Sequence, residues 1–294
     1  RLDPCFPAPS APGGCLQTLR VVVQPVVPAD GASLTTTDLA LHLFYRLDGD
    51  ELPGLLQDLA VERRTAGIAR EDDLPDGGAH PLLVREGISG PFAGRLRGWI
   101  LDHAGADRLF RVTFMGREHV GLTWRFGAFS VEDKQLTPLN VPLLSVTEQT
   151  FTNHDFAGET FVNAGTLPVS PSTADVKLLF DPSRFRAAPE AERTVAIDNA
   201  FRVENPDFET PESLDCATCH AVAPALHLAQ MSTGASVSDR AYRRPNGTTP
   251  TGATVTKTNE LRAFGYFGAK PSISQRAANE TAAVVARVNA AVRK

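Results

Sequence analysis

Several stretches in the first 180 residues carry large apolar side chains at every second position, which is the spacing of a strand that buries one face. In residues 38–47 this alternation runs from Leu39 to Tyr45, and it turns His42 toward the opposite face. Five further segments rich in β-branched and aromatic residues are predicted to be strands: 19–27, 109–115, 122–131, 139–146 and 149–152.

Two helices interrupt the predicted strands. Residues 52–64 and 92–103 place their apolar side chains on a rough stripe with a helical period. Strands, then helices, then strands again, without regular strand–helix–strand alternation, indicate a mostly antiparallel sheet or a decorated sandwich. The predicted fold class is therefore α+β, with an antiparallel-rich β domain that contains a helical insertion.

After residue 181 the pattern becomes mainly helical. A helix is predicted over residues 190–203, and the polar, proline-containing segment 205–211 ends it. Pro211 suits the first position of the following helix, with Thr210 as its cap. Residues 232–258, rich in Ser, Thr, Gly and Pro, are predicted to form a long loop.

The last helix is predicted from a capping box, Ser272-Ile273-Ser274-Gln275, which precedes a stripe of alanines and valines at helical spacing. Three parts of the chain follow from these patterns. They are an irregular, disulfide-tied N-terminal segment, 1–17, a β-rich α+β domain of unassigned role, 18–180, and a mainly α-helical domain, 187–294.

The N-terminal segment contains two of the four cysteines. Cys5 and Cys15 flank a stretch rich in proline and glycine that has no apolar core of its own. A disulfide between them closes a loop of about ten residues and stabilises by about 2–3 kcal/mol in the chain-entropy model. The alternative is two free thiols on an unstructured terminus. The disulfide interpretation predicts an oxidising compartment.

Composition and charge exclude two classes of protein. The 294 residues are 42% hydrophobic and 21% charged, and no apolar run is long enough for a transmembrane helix. A net charge of −5 without basic–aromatic interleaving excludes a nucleic-acid-binding protein.

Residues 187–239 hold two Arg against nine Asp or Glu, and residues 240–294 hold ten Lys or Arg against two Glu. Either these two oppositely charged segments neutralise each other in the fold, or their electrostatic field steers a partner protein.

The segment Cys216-Ala217-Thr218-Cys219-His220 carries the most specific chemistry in the chain. Two thiols three positions apart can each form a thioether to one haem vinyl group, and the histidine can then ligate the iron. Two other interpretations stay open. A zinc site needs a fourth ligand such as His227, and a thioredoxin-like dithiol needs a buried strand before the motif, where the sequence is polar.

This motif resembles that of the class I cytochromes c, and the helices and loop of residues 187–294 resemble their arrangement. The resemblance covers about a third of the chain and rests mainly on the five-residue motif. It implies a cytochrome c-like domain with one covalent haem c, in which Cys216 and Cys219 form the thioethers and His220 is the proximal iron ligand. Such haem attachment takes place outside the cytoplasm. We therefore expect an exported protein, periplasmic or at the cell surface, whose leader is absent before Arg1.

The distal iron ligand is less clear, because that family commonly uses a methionine several tens of residues after the motif. Here neither Met nor His follows Met231, which is itself only eleven residues beyond His220. The candidates are Met231, then His154, whose neighbour Asp155 can orient an imidazole, then a vacant or water-bound position. For the remaining donors a core or surface role is favoured: His42, His80, His103, Met115 and His119.

The aromatic segment 261–268 is predicted to form the apolar wall of the haem pocket. Phe264 belongs to this wall, and Arg262 or Tyr266 is placed to donate a hydrogen bond to a haem propionate. Ordinary packing of the terminal helix is an equally open interpretation of the same residues.

Three functions fit these features. The favoured one is a one-electron carrier, or the electron-transfer subunit of an envelope assembly, with a redox partner that the sequence does not identify. The second is a haem enzyme or small-ligand sensor with an open distal site, peroxidase-like, in which His154 supplies the acid–base group. The third is a structural or partner-binding protein in which the haem is auxiliary.

Overall fold

The structure is a computed structural model, and it describes residues 2–7, 14–28, 34–49, 51–65, 80–117, 123–154, 162–234, 238–250, 261, 264–267 and 270–292. The strands are β1 (Leu2–Pro7), β2 (Cys15–Val23), β3 (Val26–Pro28), β4 (Leu34–Thr36), β5 (Leu39–Arg46), β6 (Leu109–Arg117), β7 (Thr123–Glu132), β8 (Gln135–Leu139), β9 (Glu148–His154), β10 (Val162–Leu167), β11 (Phe264–Phe267) and β12 (Lys270–Ile273). The helices are α1 (Glu51–Thr65), α2 (Pro81–Glu86), α3 (Pro91–His103), α4 (Pro171–Val176), α5 (Pro182–Ala187), α6 (Glu190–Glu204), α7 (Cys216–Thr233) and α8 (Gln275–Val292), with a 3-10 turn, Lys177–Phe180, between α4 and α5.

In the described part of the chain, the largest sheet has eight strands, and all of its strand pairs are antiparallel. Its order is β1-β2-β5-β6-β7-β9-β10, and β8 pairs with one end of β7 while β9 pairs with the other. Two small hairpins, β3–β4 and β11–β12, lie outside it. The predicted α+β class with an antiparallel-rich sheet is confirmed.

The alternation along β5 decides what each face of this sheet packs against. Tyr45, together with Leu19 of β2, meets Leu52 and Leu55 of α1 in a small core on one side. Ala40 belongs to the main core on the other side, because residues an odd number of positions apart on a strand face opposite ways. Among the described side chains, the sheet contributes five to this main core: Ala40, Met115, Trp124, Phe126 and Phe151. Helices therefore cover both faces of the sheet.

The main core takes residues from both sides of the predicted boundary near residue 181. Phe151 of β9 is fully buried and packs edge to face on Phe180, with the ring centroids 5.7 Å apart. Ala200 of α6 and Ala221 of α7 belong to the same cluster. The sheet and the motif helix thus share one hydrophobic core, while the division of the chain into domains stays a prediction.

The first residues form an edge strand, whereas the sequence predicts an irregular leader. β1 pairs antiparallel with β2, with Leu2 opposite Leu19, and the side chains of Leu2 and Phe6 are buried. A disulfide joins Cys5 to Cys15, whose Cα atoms lie 5.0 Å apart. Two buried apolar side chains and one cross-link hold this short strand to the sheet.

The strand predicted over residues 139–146 is wrong for most of its length. β8 ends at Leu139, and the chain then turns back on itself. The N–H of Val141 donates to the carbonyl of Val146 at 2.7 Å, and Leu143 has a φ of 65° that no strand contains. Val141 is nevertheless 1% exposed. A short apolar run indicates that its side chains are buried, but it does not determine the backbone conformation. Here the buried side chain belongs to a turn and not to a strand.

The last helix begins two residues later than the capping box predicts. The cap is Ser274, whose Oγ accepts a hydrogen bond from the N–H of Ala277 at 3.2 Å. Ser272 lies in β12 and pairs with β11, so its backbone is extended and cannot begin a helix. Among the residues that the structure describes, neither this helix nor any other is both long and apolar enough to cross a membrane.

We expect Phe151→Ala to lower the free energy of unfolding by about 3–5 kcal/mol, because it leaves a cavity in the core shared by sheet and helices. The matched control is Phe208→Ala, whose side chain is 59% exposed, with an expected change within about 0.5 kcal/mol. Denaturant unfolding followed by circular dichroism measures both. Equal effects of the two variants would contradict the shared core.

Candidate functional site

The motif helix α7 begins at Cys216, with Asp215 as its cap. Oδ1 of Asp215 accepts a hydrogen bond from the N–H of Thr218 at 3.1 Å, and its carbonyl accepts from the N–H of Cys219 at 3.1 Å. The sequence-based start at Thr210 and Pro211 is wrong, because these residues form a separate turn. Cys216, Cys219 and His220 consequently occupy the first turns of the helix.

A buried hydrogen-bond network holds this helix start against the sheet. Gln149 of β9 donates from Nε2 to Oδ1 of Asp215 at 2.6 Å, and its Oε1 accepts from the N–H of Ala217 at 2.8 Å. Hydroxyl groups complete the network around the carboxylate: Ser170, Ser172 and Thr173 donate to Asp215, and Thr173 also bonds Thr218. Gln149 and Asp215 are both 0% exposed.

The same network decides the charge of Asp215. Burial alone raises the pKa of a carboxyl group, but the hydrogen bonds from Ser170, Ser172 and Thr218 outweigh burial and lower the pKa of Asp215. The side chain is therefore an anion at neutral pH. A buried anion at the positive end of a helix is favourable where donors surround it, as they do here.

Cys216 and Cys219 are free thiols that lie partly buried against the main core. Burial raises the pKa of Cys216 to about 12 and also raises the pKa of Cys219. A dithiol oxidoreductase needs the opposite, a lowered pKa that supplies thiolate at neutral pH. The environment of these thiols therefore does not favour thiol–disulfide exchange. Within the described part of the chain, no three His, Cys, Asp or Glu side chains converge on a metal-ion site.

The imidazole of His220 is fixed by a backbone carbonyl. Its Nδ1 lies 2.9 Å from the oxygen of Leu261, and since a carbonyl only accepts, Nδ1 carries the proton. Burial lowers the pKa of His220, which keeps the ring neutral and leaves a lone pair on Nε2. The ring also packs against Phe126, centroids 5.1 Å apart. No hydrogen bond from a described residue reaches Nε2.

A buried arginine, which sequence reasoning missed, joins the last helix to the motif. Arg276 is 3% exposed, forms an ion pair with Glu280 at 3.0 Å and interacts electrostatically with the Cys219 sulfur. Its guanidinium also donates to the carbonyls of Val203 and Glu209. The sequence contains one signal for this role, an Arg–Glu pair four residues apart on the buried side of the helix.

A cleft of about 190 Å³ lies between the sheet edge, the loop before the motif and α8. Phe6 and Phe44 form part of its wall, and the guanidinium of Arg20 lies over the Phe44 ring at 5.7 Å. Glu280, the ion-pair partner of Arg276, lines the same cleft. Sites for small molecules usually enclose about 300–1,000 Å³. The described walls therefore do not surround a whole porphyrin.

The other predicted site residues are not brought to the motif by the described structure. Met231 lies at the end of α7, 71% exposed, and its position eleven residues beyond His220 places it about 16 Å farther along the helix. His154 ends β9, Phe264 and Tyr266 lie in β11, and none of these three side chains is among those described. Arg262 lies outside the described residues.

The predicted aromatic segment nevertheless contributes to the site through a residue that sequence reasoning did not single out. Leu261 is 1% exposed, and its carbonyl is the partner of His220. A sequence pattern cannot identify a backbone acceptor of this kind, because every residue has a carbonyl.

Comparison with protein-family models, with curated proteins and with solved structures finds no match to this chain.

Glu204 at the end of α6 is a second buried carboxyl near the motif. It is 4% exposed, and burial raises its pKa to about 8, although Arg276 acts in the opposite direction. The folded pKa lies above the ordinary value of 4.5, so the unfolded chain releases its proton first as the pH rises. Stability is therefore highest at low pH on this account and falls between about pH 4.5 and pH 8.

We expect Glu204→Gln to remove this dependence. Each pKa unit corresponds to about 1.4 kcal/mol, so the wild type should lose several kcal/mol relative to the variant as the pH rises from about 4.5 to 8. Urea unfolding across this range measures the difference. Glu192→Gln on the exposed start of the same helix is the control, and parallel curves for wild type and Glu204→Gln would contradict the buried-carboxyl account.

We expect Asp215→Ala to lower the free energy of unfolding by about 2–4 kcal/mol, since it removes a helix cap and leaves several buried donors unpaired. Asp181 caps α5 in an exposed position, and Asp181→Ala should cost about 1 kcal/mol. The pKa of Asp215 is lowered in the fold, so its contribution should fade as the pH falls below about 3.8. Denaturant unfolding at several pH values measures both, and equal losses at neutral pH would refute the network's role.

Proposed function

We propose that this chain is an exported, one-haem c-type cytochrome that transfers single electrons. The observation that carries the proposal is the hydrogen bond from Nδ1 of His220 to the carbonyl of Leu261. Ligand histidines usually donate their second ring N–H to such an acceptor, which fixes the tautomer and directs the other nitrogen to the metal. The imidazole is thus prepared for one iron bond through Nε2.

The remaining residues of the motif fit the same cofactor. Cys216 and Cys219 lie on the first turn of α7 as free thiols, and thioether formation to two vinyl groups requires cysteines that are not joined in a disulfide. A haem held there supplies an iron centre that takes up and releases one electron. The chain's own part is to hold that centre, to limit its contact with water and to fix the ligand.

The rigidity of the site supports electron transfer rather than a reaction that rearranges the protein. The start of α7 is fixed by Gln149 and Asp215, and Arg276 binds the last helix to the loop before the motif. Ligands on a rigid element change position little between oxidation states, and electron carriers benefit from this. A redox partner protein belongs to the proposal, with its identity left to experiment.

The disulfide supports the proposed location. Cys5 and Cys15 are paired in an edge strand, and such bonds persist in oxidising compartments. On this proposal, haem attachment to the second cysteine pair also takes place outside the cytoplasm. One oxidising compartment is therefore consistent with the proposed roles of all four cysteines of the chain.

The test is expression of the full chain behind a bacterial export signal, together with a c-type cytochrome maturation system. We expect haem to stay bound through denaturing electrophoresis and to give the pyridine haemochrome of a haem with two thioethers. Cys216→Ser and Cys219→Ser should each remove one thioether, and the double variant should lose covalent haem entirely. Cys5→Ser with Cys15→Ser removes two cysteines outside the motif and should retain it. Purified wild type without covalent haem would refute the proposal.

A further inference from the structure

A second cavity lies beside the C-terminal part of the motif helix, remote in the chain from Cys216, Cys219 and His220. It has a volume of about 340 Å³ and is enclosed by the end of α7, the 3-10 turn and α5. Binding sites for small molecules usually enclose about 300–1,000 Å³. This cavity falls within that range, whereas the cleft at the sheet edge, with about 190 Å³, falls below it.

The lining of this cavity is mostly apolar. Of the eight described residues that form it, six have apolar side chains. Three of the six are buried and belong to the main core: Leu179, Phe185 and Ala229. Because core residues are held in place by close packing, the cavity is bounded by a rigid apolar surface.

Met231 is the most exposed apolar residue of the lining. Its side chain is 71% exposed at the end of α7, although it lies beside an apolar cavity. An unbranched thioether side chain adapts its shape to a bound apolar group. A ligand in the cavity would remove part of this apolar surface from water, which is favourable. The exposure of Met231 is therefore explained better by a ligand than by iron ligation.

Arg186 of α5 is the one charged side chain among the described residues of the lining. Within the described part of the chain, no residue forms a hydrogen bond or an ion pair with its guanidinium. The other polar side chain, Ser232, already donates its hydroxyl hydrogen to the carbonyl of Ala229 at 2.9 Å. Arg186 therefore supplies the free donors of this cavity.

The charges around the cavity favour an anion. Helix α7 contains no Asp, Glu, Lys or Arg, and residues 177–187 contain three basic residues against one acid, Asp181. Asp181 accepts a hydrogen bond from the N–H of Arg184 as the cap of α5. The cleft at the sheet edge has the opposite character, because three carboxylates line it: Asp3, Glu209 and Glu280.

We infer that this cavity binds a small amphipathic carboxylate, whose apolar part lies between α5 and α7 and whose anionic group binds Arg186. An apolar lining with one well-placed charged group is the usual composition of a small-molecule site, in which the charged group fixes the orientation of the ligand. The inference stands independently of the proposed function, since none of the motif residues lines the cavity.

The first test compares two ligands on the full wild-type chain. Isothermal titration calorimetry with decanoate, below the concentration at which it forms micelles, should show saturable binding of one molecule per chain. Decanol has the same apolar chain without the charge and should bind more weakly. Absence of saturable decanoate binding, or equal affinities for the two ligands, would overturn the inference.

The second test changes the cation. Arg186→Gln should weaken decanoate binding by about fivefold, the upper range for an exposed ion pair, and should leave decanol binding unchanged. Arg186→Lys should retain most of the decanoate affinity. The matched control is Arg184→Gln, an exposed arginine of the same helix that does not line the cavity. Equal decanoate affinities in Arg186→Gln and Arg184→Gln would rule out Arg186 as the anion-binding group.

The third test places the ligand in this cavity rather than elsewhere on the chain. Met231→Glu introduces a carboxylate into the lining and removes an apolar contact, so it should weaken decanoate binding more than Arg186→Gln does. The control is Val195→Glu, at a position that is 59% exposed on α6 and outside the cavity. Circular dichroism checks that both variants are folded. Wild-type affinity in folded Met231→Glu would show that decanoate binds elsewhere and would overturn the assignment.

Discussion

The buried carboxylate of Asp215 is the constraint on which the rest of the site depends. An ion without solvent is costly unless donors surround it, and here the donors come from three places: Gln149 on β9, the serine and threonine hydroxyls before and within α4, and the first turn of α7. Each donor is fixed by its own element. The carboxylate therefore sets both where α7 begins and how it is rotated about its axis, and this rotation decides which way the motif side chains point.

Two further interactions fix the surroundings of the motif once Asp215 has placed the start of α7. The carbonyl of Leu261 selects the tautomer of His220, and Arg276 ties the last helix to the backbone of α6 and of the loop before the motif. Both partners lie far along the chain from the motif. The five motif residues supply the reactive atoms, and residues up to 68 positions away, such as Gln149 relative to Ala217, give those atoms their geometry.

This distribution explains what the sequence could and could not predict. The reactive residues of the motif are local, so spacing alone identified Cys216, Cys219 and His220 as a unit. The start of the helix was placed wrongly at Thr210 and Pro211, because the choice between competing caps depends on burial and on donors from β9. Alternation along β5 predicted that His42 faces away from Tyr45, but which helix covers that face is a property of the assembled layers.

On the proposed function, the β-rich region also acquires a role that its sequence did not suggest. The motif helix α7 packs on this sheet and shares one core with it. The face of that sheet carries Phe126, whose ring packs against the imidazole of His220. The start of α7 takes its geometry only when helix and sheet are packed together, since Gln149 of β9 bonds both Asp215 and Ala217. On this proposal the covalent motif would fix the haem to the helix, and the packing of helix on sheet would set the surroundings of the iron ligand.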